Sequence, residues 1–205
     1  MKTVSAQELT GIIKKELERK RPLILAVDGR CASGKSTFAR ELSGVCLAEV
    51  IHMDDFFLRP QQRTKERLAE AGGNIDRERF LQEVAVLLGE YRKAEDVVSE
   101  KKWDHDTLLT YRRYDCSRQE LTDTVQIKRS PLIIVEGAYS CHPCFGDIYD
   151  LRVFMDVEDE RQRERVKKRN GADMLPRFLE EWIPKENTYF ERFCIRENCD
   201  YLVLS

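Results

Sequence analysis

The chain has no long apolar run, no excess of charge of either sign, and no apolar core near its start. Leu23 to Val27, following Pro22, is typical of its apolar runs, whereas about 20 such residues are needed to span a bilayer. The opening MKTVSAQELTGIIKKELERKRP has nothing like the central segment of a secretory signal. A cytoplasmic protein without a membrane partner is therefore expected. Lys and Arg number 35 against 37 Asp and Glu, a net charge of −2 over 205 residues, which argues against a nucleic-acid backbone as the main partner. The seven cysteines at 31, 46, 116, 141, 144, 194 and 199 are odd in number and scattered. A chain this large needs no disulfide staples, so reduced thiols are expected.

What is present is enough apolar surface for a core: 41% hydrophobic residues beside 35% charged ones. That composition suits a single domain over 1–205, with room for a small lid. Ser5 and Glu8 fit a capping box, and Leu9, Ile12, Ile13 and Leu17 share one helical face, which predicts a helix from Ser5 to Lys20. Leu23 to Asp28 reads as a strand covered on both faces. Further strands are predicted over Glu49 to Met53, Leu132 to Val135, Leu151 to Asp156 and Tyr201 to Leu204. Helices are predicted over Thr37 to Leu42, Asp76 to Arg92, Asp159 to Arg169 and Pro176 to Phe193. The alternation implies an α/β fold around a mostly parallel, five-stranded sheet. Residues 94–130 read as a strand-rich insertion, with strands over Thr107 to Tyr114 and Thr124 to Lys128.

Between the strand at 23–28 and the helix at 37–42 lies Gly29, Arg30, Cys31, Ala32, Ser33, Gly34, Lys35, Ser36, which satisfies G-x-x-x-x-G-K-[ST] in the strand-to-helix context that its mechanism requires. Such a loop curls so that successive N–H groups and the helix N-terminus face a phosphate. Lys35 is then expected to reach the β- and γ-phosphates, Ser36 to ligate Mg²⁺, and Thr37 to lie near the α-phosphate. A metal site of this kind needs a further carboxylate from a neighbouring strand end. Asp54, after the strand at 49–53, and Glu136, after the strand at 132–135, both qualify.

The P-loop together with MDDFF at 53–57, NID at 74–76, VEGAYS at 135–140, FMDVEDERQRERVKKR at 154–169 and the closing NCDYLVL resembles the uridine kinase family of P-loop kinases, which also embraces relatives of nicotinamide riboside kinase, phosphoribulokinase and pantothenate kinase. The resemblance runs through nearly the whole chain. It implies the P-loop NTPase three-layer α/β/α fold, ATP as co-substrate, Mg²⁺ as cofactor and a small hydroxyl-bearing metabolite as acceptor, and leaves room for a homo-oligomer. It further implies that Asp54 is the base for the acceptor hydroxyl, that Glu136 stands near Mg²⁺, that Asp76 holds acceptor hydroxyls, and that Phe57 and Tyr114 line the acceptor pocket.

Arg161, Arg165 and Arg169 lie four apart on one helical face leading into Asn170–Gly171. In the resembled family such arginines belong to a lid, here 159–175, and neutralise charge as the phosphoryl group leaves; Arg165 and Arg169 are assigned that role. One departure bears on the acceptor. Nucleoside-specific members carry a His shortly after a Tyr-Asp pair, whereas Tyr114 and Asp115 are followed here by Cys116, Ser117, Arg118 and Gln119. Cys141 and Cys144 form a C-x-x-C, for which a zinc site with Cys194 and Cys199, or a redox pair, competes with a structural loop. Phosphotransfer from ATP to a nucleoside or riboside is the leading expectation. A kinase for pantothenate or a sugar acid is the alternative, and a nucleotide-binding regulator is the rival from another class. The absence of an Asn-Lys-x-Asp sequence argues against a GTPase.

Overall fold

The computed structural model of the chain describes residues 1–93 and 107–205. Its opening strand β1 (Lys2–Val4) leads into helix α1 (Ala6–Arg19), and Ser5 and Glu8 close the expected capping box at the junction. Leu9, Ile13 and Leu17 bury the apolar stripe of α1, each contributing about 1.5–3 kcal/mol of transfer free energy. Strand β2 (Leu23–Gly29) is buried along its whole length and turns through the phosphate-loop sequence into α2 (Lys35–Val45). Next come β3 (Ala48–His52), a 3₁₀ turn over Met53–Phe56, and the short helix α3 (Lys65–Ala69). The helix predicted from Asp76 is α4 (Arg77–Phe80) and α5 (Val86–Lys93), joined by a π-helical turn over Leu81–Ala85.

The hairpin β4 (Thr107–Asp115) and β5 (Glu120–Lys128) forms its own two-stranded antiparallel sheet. This is the described part of the insertion placed at 94–130; its first residues, 94–106, which include His105, lie outside the described residues. The chain then forms β6 (Leu132–Glu136), β7 (Leu151–Asp156), α6 (Asp159–Asn170), α7 (Leu175–Arg177), a second π-helical turn (Phe178–Trp182), α8 (Ile183–Phe193) and β8 (Tyr201–Leu204).

The central sheet has six strands in the order β1-β8-β7-β2-β6-β3, every pair parallel. The expectation of five strands is corrected by one. The added strand is β1, which pairs Lys2 with Tyr201 and Val4 with Val203. Only Val4 of its three residues is buried, so the sequence carries no apolar alternation there, and backbone pairing with β8 creates the strand.

Alternate residues of β2 divide the core. Leu23, Leu25 and Val27 face α1 and α2, whereas Ile24 and Ala26 face the layer built by α4, α5, α8 and the β4–β5 hairpin. The result is three layers, helices on both faces of a parallel sheet. No described helix is long and apolar enough to cross a membrane.

Candidate active site

The site sits where β2, β3 and β6 end side by side. Register pairs Val27 with Glu136 and His52 with Glu136, so three strand ends arrive at one level. Two glycines permit the close approach. Gly29 has φ +133°, and a Cβ there would lie 2.0 Å from the carbonyl oxygen of Met155. Gly137, with φ +135°, would place a Cβ 2.8 Å from that of Met53. Neither position tolerates a side chain, and the second contact brings the Asp54 segment against the end of β6.

The strand ends and the loop enclose a cleft of about 700 Å³ lined by Cys31 through Phe38, Asp54, Glu136, Arg165, Arg169 and Glu186 among others. The Lys35 ammonium donates to the carbonyls of Gly29 at 2.7 Å and Arg30 at 2.8 Å, which holds its charge over the loop. Ala32, with φ +59°, and Gly34, with φ +92°, supply the left-handed steps that curl the backbone. Ser33 is fully buried, and Thr37 follows Ser36 in the first turn of α2. Arg30 turns away from the cleft: its guanidinium donates to the Val157 carbonyl, Asp159 and Gln162. Cys31 packs with Val166, Phe178 and Ile183.

Ser36 donates its hydroxyl to Glu136 Oε2 at 3.1 Å. The other oxygen of Glu136 meets His52 Nδ1 at 2.5 Å. That contact, before any other cause, raises the pKa of His52 above the ordinary histidine value. Asp54 opens onto the cleft, yet the surrounding walls remove water from its carboxyl and Glu136 adds a like charge, so its pKa is raised. Lys35, Arg169 and His52 oppose that rise. Ser36, Glu136 and Asp54 together form a set of hard oxygen donors suited to Mg²⁺, which takes one or two carboxylates and completes its shell with water and phosphate oxygens. Among the described residues no group of three His, Cys, Asp or Glu forms a self-sufficient metal cage.

Arg165 and Arg169 both reach the loop from α6. Arg165 donates to the Ala32 carbonyl at 3.0 Å and to Ser205 Oγ at 2.9 Å, and Arg169 lies 3.5 Å from Cys31 Sγ. Arg161, on the same helix, is exposed.

The acceptor-side residues form a separate group. Phe57 bridges to Ile75 in antiparallel fashion. Asp76 is 2% exposed and caps α4 by accepting from Arg79 N at 3.1 Å, while its other oxygen accepts from Gln62 at 2.9 Å. Tyr114 accepts from Arg63 at 2.8 Å through its hydroxyl. Asp76 and Tyr114 are thus held in hydrogen bonds within the protein, and neither lines the phosphate-loop cleft.

No family model matches the chain. Its architecture is nonetheless similar to solved structures over nearly their whole lengths. A candidate uridine kinase from Bacillus stearothermophilus superposes with a TM-score of 0.64 at 20% identity, covering 96% of this chain and 99% of that one. A candidate P-loop kinase with a circular permutation from Saccharomyces cerevisiae gives 0.67 at 15% identity, with 98% and 99% covered. A candidate fructose transport system kinase from Silicibacter sp. gives 0.64 at 18%, with 95% and 98% covered. The chain has the P-loop NTPase fold.

Within that P-loop fold, three polar positions beside the phosphate loop and Glu136 escaped the reading of the sequence. Asp28, fully buried at the end of β2, accepts from Gly29 N, Tyr139 N, Cys141 N and the Tyr189 hydroxyl; a carboxylate ending an otherwise apolar strand was its signal. His52 was marked only by its place two residues before Asp54. Glu186 accepts from Cys31 N at 2.8 Å, and its signal was a carboxylate spaced with Ile183 and Phe190 on the buried face of α8. The C-x-x-C is not a closed pair. Cys141 neighbours Cys199, which raises the pKa of its thiol, whereas Cys144 is exposed, and all seven cysteines are free thiols.

Proposed function

We propose that the protein is an ATP-dependent phosphotransferase that moves the γ-phosphoryl group of ATP to a hydroxyl of a small metabolite. The observation that carries this reading is the convergence of Asp54, an accessible carboxylate with a raised pKa, on the same cleft as Lys35 and the Ser36–Glu136 pair. A module that only bound nucleotide would have no use for a base opposite the phosphate loop.

The loop amides and Lys35 orient the phosphates. Asp54 accepts the proton of the acceptor hydroxyl as that oxygen attacks, and its raised pKa brings it nearer to the range of an effective general base. Arg165 and Arg169, carried by the lid segment 159–175, set guanidinium charge over the loop, where phosphoryl transfer spreads negative charge onto equatorial oxygens. Ser36 and Glu136 would hold Mg²⁺, which when bound neutralises phosphate charge. Closure of the lid would exclude water and suppress hydrolysis.

Phe57, Asp76 and Tyr114 are proposed to frame the acceptor side. A nucleoside or riboside is the first acceptor class to test. A second class, a non-nucleoside acceptor with an anionic group, is favoured by Arg63. Its guanidinium holds the Tyr114 hydroxyl with its carbon 5.9 Å from the ring centroid, and it forms no ion pair among the described residues.

The test is ADP release in the presence of ATP, Mg²⁺ and a panel of nucleosides, ribosides, pantothenate and sugar acids. Acceptor-dependent ADP formation with a phosphorylated product supports the reading. Tight ATP binding with no product from any hydroxyl acceptor would establish the regulator instead.

A further inference from the structure

Glu186 stands at the phosphate loop with a charge of the wrong sign for polyphosphate. It is 9% exposed, lines the cleft, and accepts from the Cys31 amide at 2.8 Å. It comes from α8, which is also tied to the base of the loop by the Tyr189 hydroxyl donating to Asp28 at 2.8 Å. The carboxyl is therefore held rigidly beside the loop.

The charged and titratable groups around it belong to every adjoining element: Asp28 of β2, the Cys31 thiol of the loop, Lys35 of α2, Asp54 after β3 and Tyr139 after β6. Lys35 is the cation among them, and Arg169 of α6 reaches the Cys31 sulfur. An incoming phosphate would draw the Lys35 charge to itself and place further negative charge beside Glu186. An ionised Glu186 would then stand unneutralised in a dry site. A protonated carboxyl avoids that cost: its carbonyl oxygen still accepts from Cys31 N, and its O–H becomes a donor.

We propose that Glu186 is a proton-taking residue of the phosphate site, binding one proton from solvent as the polyphosphate enters and presenting a neutral, hydrogen-bond-donating carboxyl to it. This rests on the nucleotide-binding part of the function proposed above and adds a role for a residue of α8. The surroundings agree: burial, ahead of opposing help from Lys35 and the Cys31 amide, raises the pKa of Glu186 to about 7, so the carboxyl is near half ionised in the free protein at neutral pH.

The test uses the intact chain and calorimetric titration of ADP at pH 8, where ADP is already fully ionised, in two buffers of different ionisation enthalpy. Uptake close to one proton per ADP is expected for the wild-type chain and none for Glu186→Gln, which retains an acceptor for Cys31 N. Across pH 7 to 9 the wild-type affinity should weaken by about tenfold per pH unit once Glu186 is ionised in the free protein, while that of Glu186→Gln stays flat. Adenosine, which has no phosphate, should bind without proton uptake. Equal uptake in wild type and variant overturns the proposal, as does uptake with adenosine. The wild-type titration with ADP needs no variant to fold, and absence of proton uptake in it also overturns the idea. Failure of ADP to bind at any pH brings down the nucleotide reading itself, and the proposal with it.

Discussion

Ser36 donates its hydroxyl to Glu136 at 3.1 Å from a position 100 residues away in sequence. This pair joins the first turn of α2 to the end of β6 and forms the oxygen-rich corner of the cleft. Replacing Glu136 by Gln keeps an acceptor for Ser36 but removes the charge. On the proposed function, ATP turnover at saturating Mg²⁺ should fall on the order of 10²-fold, read as ADP release. Undiminished turnover would remove Glu136 from the metal role.

Asp54→Asn should abolish most acceptor-dependent turnover, a loss of about 10²–10⁴-fold, while ADP binding persists. Calorimetry and a coupled ADP assay on the same preparation separate the two effects. A variant with intact turnover would mean that Asp54 is not the base.

Gly29→Ala should fail for a backbone reason. The new methyl would meet the Met155 carbonyl at 2.0 Å, and the position has φ +133°, so a loss of about 3 kcal/mol or more is expected. The urea midpoint measures it. Gly44→Ala, in the open on α2 with nothing within 4 Å of an added Cβ, should be neutral or stabilising.

Asp28→Asn tests the node beneath the phosphate loop. Four donors converge on this carboxylate, and an amide offers them one acceptor oxygen and an NH₂ group that faces donors. A destabilisation of about 1–3 kcal/mol is expected for each donor left unpaired, with weaker ADP binding because Gly29 and the loop after β6 lose their common anchor. A chain with wild-type stability and affinity would refute the role.

His142 predicts acid sensitivity. Burial first, and then Arg77, lower its pKa to about 4, and its Nδ1 accepts from Cys144 N at 3.2 Å, which suits the neutral ring. An unfolded His titrates near 6.5, so between that value and about 4 the unfolded chain binds the extra proton. This contribution to stability is therefore fully present above pH 6.5 and is lost as pH falls towards 4, about 3 kcal/mol in all. His142→Gln should flatten this part of the stability-versus-pH curve measured by urea unfolding; an unchanged slope would exclude His142 as its source.

How far the sequence reached can be judged from particular residues. The glycine and lysine spacing of residues 29–36 needed no tertiary knowledge, because one continuous strand, loop and helix makes the phosphate cradle. The strand alternation likewise dictated a parallel sheet, since apolar runs such as Leu132 to Val135 must be covered on both faces. Glu136 and Asp54 were legible as strand-end carboxylates for the same reason. Asp76 is different: only the family resemblance assigns it to acceptor hydroxyls, and in the structure its oxygens cap α4 and accept from Gln62.

The sequence by itself determined the phosphate loop, the α/β alternation and the apolar faces, because each depends on residues within a few turns or one strand of each other. Only the tertiary structure decided which distant groups share the cleft. The His52–Glu136 contact follows from strand register, the Glu186–Cys31 bond from the seating of α8, and the sixth strand from a backbone edge that β8 offers to Lys2–Val4. Hydrogen bonding and desolvation act over a few ångströms of space, and chain separation carries no record of them.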